Sequence, residues 1–263
     1  MKPGDWWDKS WSIVTGCSWP EGAMPPACEH CWARGMLRRF SSLGHPNAVT
    51  WHPGRLDAPL RRRKPTVWAV SLLGDLFHPD VPRDFRRAVW RTMTAAPQHH
   101  YVLLTKRWRT AARELRDEGL PTGAILMASA WDQRSVSDAA AALAPLGIRW
   151  GLHLEPLLGP VNLDFVAGML DGCPGQYNYL SGDWWPALGD AAAEAEGRVW
   201  IGESPAWIVV GGENGPGARP MDPDWARQLR EECVSAGVPF WLKCLGRGRG
   251  RILDGRTWEE TPW

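Results

Sequence analysis

Short runs of consecutive apolar residues recur along the chain. Each is closed by Gly, Pro, Asp or Ser, and most are followed by a stretch with helical spacing. The first run, residues 11–15, leads through a Pro- and Gly-bearing loop to a helix over 31–41. A connector over 44–64 precedes the second run, 66–71, which stops at Gly74-Asp75. Pro82 marks a helix start, and Phe85, Val89, Trp90 and Met93 share one face of residues 83–95. The third run, 101–106, precedes a helix over 110–118; the fourth, 124–129, precedes an Ala-rich helix over 132–143; the fifth is 150–155. The sixth, 207–213, is followed by a helix with Asp222 as N-cap, Pro223 in its first turn and Gly237 beyond its end. Residues 240–243 close the series.

Strands that are apolar throughout, rather than alternating, are buried on both faces, and their alternation with helices predicts parallel βα units. Six or seven such units predict an α/β fold, a partial (β/α)6 barrel forming one domain over 1–263, with a doubly wound open sheet as the competing arrangement. Either architecture places chemistry at the carboxyl ends of the strands. Polar residues gather there: Cys17, Ser71, Gly74, Asp75, Thr105, Lys106, Ser129, Asp132, His153, Glu155 and Gly211-Gly212-Glu213. Residues 171–204, before the sixth strand, are too long for an ordinary connection and predict either a substrate-facing lid or a peripheral excursion. Residues 246–263 form a basic C-terminal tail opening on Arg247-Gly248-Arg249-Gly250-Arg251.

Composition narrows the setting. Net charge is +1 and 44% of residues are hydrophobic. No run approaches the roughly 18 to 20 apolar residues of a membrane span, and residues 1–6 lack a signal-peptide core, so a cytoplasmic protein with reduced thiols and no membrane partner is expected. Near-neutral charge supplies no global attraction for DNA. Only the local patches 61–64 and 247–251 offer phosphate contacts. The 19 tryptophans outnumber 5 phenylalanines and 3 tyrosines, so Trp serves as the ordinary core aromatic. Trp32, Trp131 and Trp184-Trp185 fall in loops or at strand ends, where an indole can stack on a nucleobase.

Three of the six cysteines fall within residues 17–31, as Cys17, Cys28 and Cys31, ten and two residues apart. Thiolates at a strand-to-helix turn make a soft-metal site. A [4Fe–4S] cluster held by three cysteines keeps one iron open for another ligand. A structural zinc needs a fourth ligand, for which His30 or Cys244 is available, and a disulfide is the remaining alternative. The turn Gly211-Gly212-Glu213-Asn214-Gly215-Pro216-Gly217 lets backbone amides approach a nucleotide, though it lacks the residues of a Walker loop. Glu155 and Glu213 suit either an acid–base pair or salt bridges to Arg219 or Lys106.

Together, Val14-Thr15-Gly16-Cys17 with Cys28-Glu29-His30-Cys31-Trp32-Ala33, residues 75–82, Leu103-Leu104-Thr105-Lys106-Arg107, residues 155–160 and residues 210–221 resemble a phage and bacterial three-cysteine family. That family long carried an unknown-function label and is similar to radical SAM enzymes such as spore photoproduct lyase. The resemblance spans about residues 12 to 245. It implies a radical-SAM-type barrel, with a [4Fe–4S] cluster on Cys17, Cys28 and Cys31 and S-adenosylmethionine on the open iron. It also implies an external electron donor and a 5′-deoxyadenosyl radical that takes hydrogen from substrate. By barrel analogy Ser71, Gly74 and Asp75 would hold the methionyl amino group, Ser129 and Asp132 would face the ribose, and Gly211 and Gly212 would lie by the adenine. Lys106, His153, Glu155 and Glu213 would serve catalysis. The substrate it suggests is an amino-acid-decorated thymine in phage DNA or a modified nucleotide, rearranged by an isomerase. Thymine-lesion repair and a non-catalytic nucleic-acid-binding module are the alternatives. Two features depart from the pattern: ten residues rather than three separate the first two cysteines, and Ala130-Trp131-Asp132 follows Ser129 where an acid is usual.

Overall fold

The computed structural model describes residues 5–19, 23–40, 42, 44–164, 166–170, 173–186, 199–215, 217–246 and 248–263. Ser41, Pro216, Arg247, residues 171–172 and 187–198, and the side chain of Trp185 lie outside the described residues.

The apolar runs form strands in chain order, with helices between them. They are β1 (Lys9–Trp11), β2 (Val14–Thr15), α1 (Trp32–Arg39), β3 (Thr50–Trp51), β4 (Val67–Val70), α2 (Arg83–Ala95), β5 (His100–Thr105) and α3 (Trp108–Glu118). There follow β6 (Ala124–Ser129), α4 (Gln133–Leu143), β7 (Trp150–Leu154), β8 (Val166–Leu170), β9 (Cys173–Asn178), β10 (Asp183–Pro186) and β11 (Val199–Trp200). The chain ends with β12 (Ile208–Gly211), α5 (Pro223–Ala236), β13 (Phe240–Cys244), β14 (Ile252–Leu253) and β15 (Arg256–Thr257).

The main sheet has the order β1-β4-β5-β6-β7-β12-β13 and is parallel throughout. Each strand lies beside its predecessor in the sheet. The order never reverses, which removes the doubly wound alternative, since that fold requires a switch point. The sheet curls into a half-barrel. Alternate residues divide between its faces, as strand geometry requires. Trp68, Val70, Tyr101, Leu103, Leu126, Leu152, Ile208 and Phe240 pack toward the helices. Val67, Ala69, Val102, Ile125, Met127, Val209 and Trp241 line the concave face. That face is filled by Trp207 and by Trp6 from the N-terminal segment, both fully buried and edge-on with ring centroids 5.6 Å apart. Gly151 faces the same interior, where a Cβ would lie 2.4 Å from the Trp207 carbonyl oxygen.

Two expectations are corrected, on residues 11–15 and on Trp184. Residues 11–15 are two strands rather than one, because the chain turns at Ser12-Ile13. Trp11 pairs with Val70 in the parallel sheet, whereas Val14 pairs antiparallel with Trp51. The long insertion carries its own antiparallel sheet, β11-β10-β9-β8. Its Tyr179 and Leu180 join the helix-side core, and Trp184, which the sequence suggested as a stacking residue, is buried. The Arg251 guanidinium is paired with Glu259, and Trp258–Glu260 runs antiparallel along β13, with Leu242 N donating to the Trp258 carbonyl at 2.9 Å and Glu260 N to the Phe240 carbonyl at 3.1 Å. Among the described residues no helix is long and apolar enough to cross a membrane.

Candidate functional site

A cavity of about 400 Å³ opens at the carboxyl ends of the strands, and Cys17, Cys28 and Cys31 all line it. Cys17 owes its position to Gly16, which is left-handed (φ 78°). A Cβ there would stand 2.0 Å from the Ala48 carbonyl oxygen, so only glycine lets the chain pass. Gly16 also bridges Gly74 beyond β4, and Cys17 N donates to the Pro46 carbonyl at 3.2 Å. Ser18, next along, is clamped by His78 Nε2 (2.6 Å) and by Arg107 Nη2, which donates to its carbonyl at 2.9 Å. Cys28 ends a 3-10 turn over Pro26–Cys28, and Cys31 is the N-cap of α1. This second half of the loop is anchored by Arg219, whose guanidinium donates to the Pro26 carbonyl at 2.8 Å, to Glu29 at 3.2 Å and to both oxygens of Glu213.

Burial disfavours the thiolate form of Cys17 and Cys28. Burial, with the neighbouring Asp75 carboxylate, pushes Cys17 up to about 12, and Arg107 and Lys106 only partly oppose it. Burial raises Cys28 too, against the pull of Lys106. Among the described residues no three His, Cys, Asp or Glu side chains converge as a ready metal-binding group. Cys17, Cys28, Cys31, Cys233 and Cys244 are free thiols, which removes a disulfide among them. Of the suggested fourth ligands, His30 lines the same cavity, its ring beside Gly217 and 4.0 Å from Glu29, whereas Cys244 does not line it and accepts from Asn214 at 2.9 Å.

The cavity floor is the upper concave face of the half-barrel. Lys243 Nζ donates to both Glu155 oxygens at 2.8 and 2.9 Å and lies 5.3 Å over the Trp7 ring. His153 Nε2 is 3.3 Å from Glu155, but neither ring nitrogen has a hydrogen-bond partner. Burial drives His153 down to about 4, with Glu155 countering and Lys243 and Lys106 adding to the fall. Burial alone would raise Glu155, yet Lys243 and His153 hold it below the usual carboxylate range. Ser71, in the left-handed region (φ 57°), also carries a buried hydroxyl without a partner. A non-glycine residue there costs about 1–2 kcal/mol, which surrounding structure must offset.

A family model described as a protein of unknown function, DUF5131, matches residues 3–262. The chain belongs to the DUF5131 family. No curated protein and no solved structure matches it.

In this DUF5131 chain the cavity gathers Cys17, Cys28, Cys31, Ser71, Gly74, Asp75, Lys106, Ser129, His153, Glu155, Gly212 and Glu213. Two residues expected there do not line it. Asp132 is the N-cap of α4, its carboxylate accepting from Ser135 N at 2.8 Å in a capping box. Gly211 is covered by Glu155, whose carboxyl carbon would lie 3.3 Å from a Cβ. Asp75 is a brace as well as a lining residue: Thr105 Oγ1 donates to both its oxygens at 2.9 Å, Phe77 N at 2.9 Å and Lys106 N at 3.1 Å. Glu155 and Glu213 each have their own cation rather than one another, Lys243 and Arg219 respectively. Sequence reasoning missed Lys243, His78, Trp6 and Trp7. Lys243 at the end of the last strand run was the one with a signal, since strand ends carry the site.

Proposed function

We propose that this protein is a radical SAM enzyme acting on a nucleic-acid-linked substrate. The observation that carries the reading is that three cysteines line one cavity at the carboxyl ends of a parallel half-barrel. The donor set fits such a centre, with three soft thiols and no fourth protein thiol lining the cavity. The orphaned Ser71 hydroxyl and His153 ring suit a polar ligand bound beside them.

Cys17, Cys28 and Cys31 would hold a [4Fe–4S] cluster, which with bound S-adenosylmethionine and an external electron supplies a 5′-deoxyadenosyl radical. The chain's own residues do the rest. Lys106 and Arg107 set positive charge beside the thiolates once these ionise. Trp6 and Trp7 keep water out of the floor. The Glu155–Lys243 pair and neutral His153 present an anion, a cation and an uncharged proton acceptor to a polar substrate. Such a floor suits an amino-acid-decorated base, for instance a glycyl-modified thymine in phage DNA rearranged by an isomerase. Hydrogen abstraction suits such a substrate because its carbon–hydrogen bond is unactivated.

The test is anaerobic reconstitution with iron and sulfide, then dithionite and S-adenosylmethionine, with 5′-deoxyadenosine measured by mass. The loaded protein should be brown, with broad absorbance near roughly 400 nm, whereas a zinc protein is colourless. Cys28→Ala should lose the colour and the product while keeping the wild-type circular dichroism. A fully loaded cluster that yields no 5′-deoxyadenosine, even with modified-thymine DNA present, would falsify the enzyme reading and leave a binding module.

A further inference from the structure

Beside the cavity mouth, α1 presents a face that none of the described residues covers. Only Leu37 of this helix is buried, and Trp32 (54% exposed), Met36 and Phe40 form an outward stripe at i, i+4 and i+8, roughly 12 Å long. Such a stripe normally faces a core, so its exposure marks a surface that meets something else. Its charge is one-sided. The helix carries Arg34, Arg38 and Arg39 and no carboxylate, and Glu29 just before it is contacted by Arg219. Arg34 is held in place, 5.2 Å over the exposed Trp19 ring and donating to Asn47 at 2.6 Å. Trp32 and Arg34 also line the cavity.

We infer that the exposed face of α1 is a binding platform for an unpaired nucleic-acid strand, with a base stacked on Trp32 and a phosphate on Arg39, which lies 5.3 Å over the Phe40 ring on the same face, leading a nucleotide into the cavity. Flat exposed indoles interleaved with arginines are the elements of single-strand binding without sequence preference. A cavity of about 400 Å³ has room for a base or nucleotide rather than a duplex, so a target base has to leave its stack to enter. Each of the two basic patches suggested by sequence has one arginine in an ion pair. Arg61 pairs with Asp57 at the opposite end of the strands, and Arg251 pairs with Glu259. The purpose of the platform rests on the nucleic-acid-linked substrate proposed above, but its binding does not require the radical chemistry.

The full-length protein is titrated against fluorescein-labelled single-stranded DNA, the same strand made abasic, its duplex, heparin, and an acidic flavodoxin-type protein. Single-stranded DNA should bind more tightly than the abasic strand or the duplex. Trp32→Ala should weaken it roughly 5- to 150-fold, the range for loss of one stacked base, and Trp32→Phe should restore part. Replacing Arg39 with Ala should reduce the slope of log K against log salt by about 0.7, as for one single-strand phosphate contact. Equal affinity for heparin and abasic strands, indifference to Trp32→Ala, or binding of the acidic protein alone overturns the platform. 5′-Deoxyadenosine formation by the reconstituted protein is measured in parallel, with and without modified-thymine DNA. Its persistence in a protein that binds no strand sinks the platform and spares the enzyme class; its absence from a fully loaded protein that binds DNA, even with that DNA present, does the reverse.

Discussion

His153 is a residue whose titration is written into the fold. Its ring is 6% exposed, edge-on to Trp6 at 5.9 Å, and has no hydrogen-bond partner on either nitrogen. Burial sets its folded pKa at about 4 against an ordinary 6.5. As pH falls below 6.5 the unfolded chain takes up a proton that the folded chain refuses, so stability is lost as pH falls. Between pH 7 and pH 5 this one group should cost about 2 kcal/mol. Urea unfolding of the wild type and of His153→Gln at both pH values isolates it: the variant should lose that part of the slope, and an unchanged slope means His153 is not buried in neutral form. Glu155, beside it, was legible as an acid at a strand end, but its partner was not. Lys243 lies 88 residues on and two strands across, and only the curl of the sheet brings its Nζ over the concave face.

At the scale of elements, local pattern located most strands and helices within a residue or two, because continuous apolar runs and Asp or Pro caps are local signals. It failed where pairing is chosen by distant segments. Val14-Thr15 leaves the line of β1 to join Thr50-Trp51, and β9, β10 and β11 lie inside what read as a loop, pairing with β8 just before it and with one another. The cysteine loop is of this second kind. Three short pieces, from residues 26–29, 213 and 219, are tied by one guanidinium. Arg219→Gln should therefore free the loop without dissolving the sheet. We expect alkylation of Cys28 and Cys31 to speed up roughly tenfold, which corresponds to about 1.4 kcal/mol of lost anchoring, and iron loading on reconstitution to fall. Cys17, held through Gly16, Pro46 and Ser18, should react at its former rate. If all three thiols accelerate equally, the variant has unfolded the region rather than released one loop.

On the scale of the whole molecule, the two ends of the half-barrel are finished differently. The carboxyl ends of the strands are left open around the cavity. The opposite end is closed by the last residues of the chain, where Trp207 Nε1 donates to the Glu260 carbonyl at 2.8 Å, Arg149 contacts the Pro262 carbonyl, and Trp263 stacks on His100 at 4.9 Å. Gly-spaced arginines drew attention to this tail as a phosphate contact, but its tryptophans carry the larger structural role, and alternation of polar and apolar residues could not show which surface they would meet. The same segment covers the outer edge of β13, an edge that would otherwise offer unpaired backbone groups to another chain. Deleting residues 258–263 removes at least three hydrogen bonds, each contributing about 1 kcal/mol net, and uncovers Trp207. A loss of about 3 kcal/mol should lower the melting temperature by about 6–12 °C for a chain of this size, with self-association appearing at the bared edge. Because the cavity lies at the other end, Cys17 and Cys28 should keep their alkylation rates below the new transition. An unchanged melting temperature would show that the strap contributes nothing to closure. Cysteines that react faster well below the transition would show that the two ends are coupled through the strands.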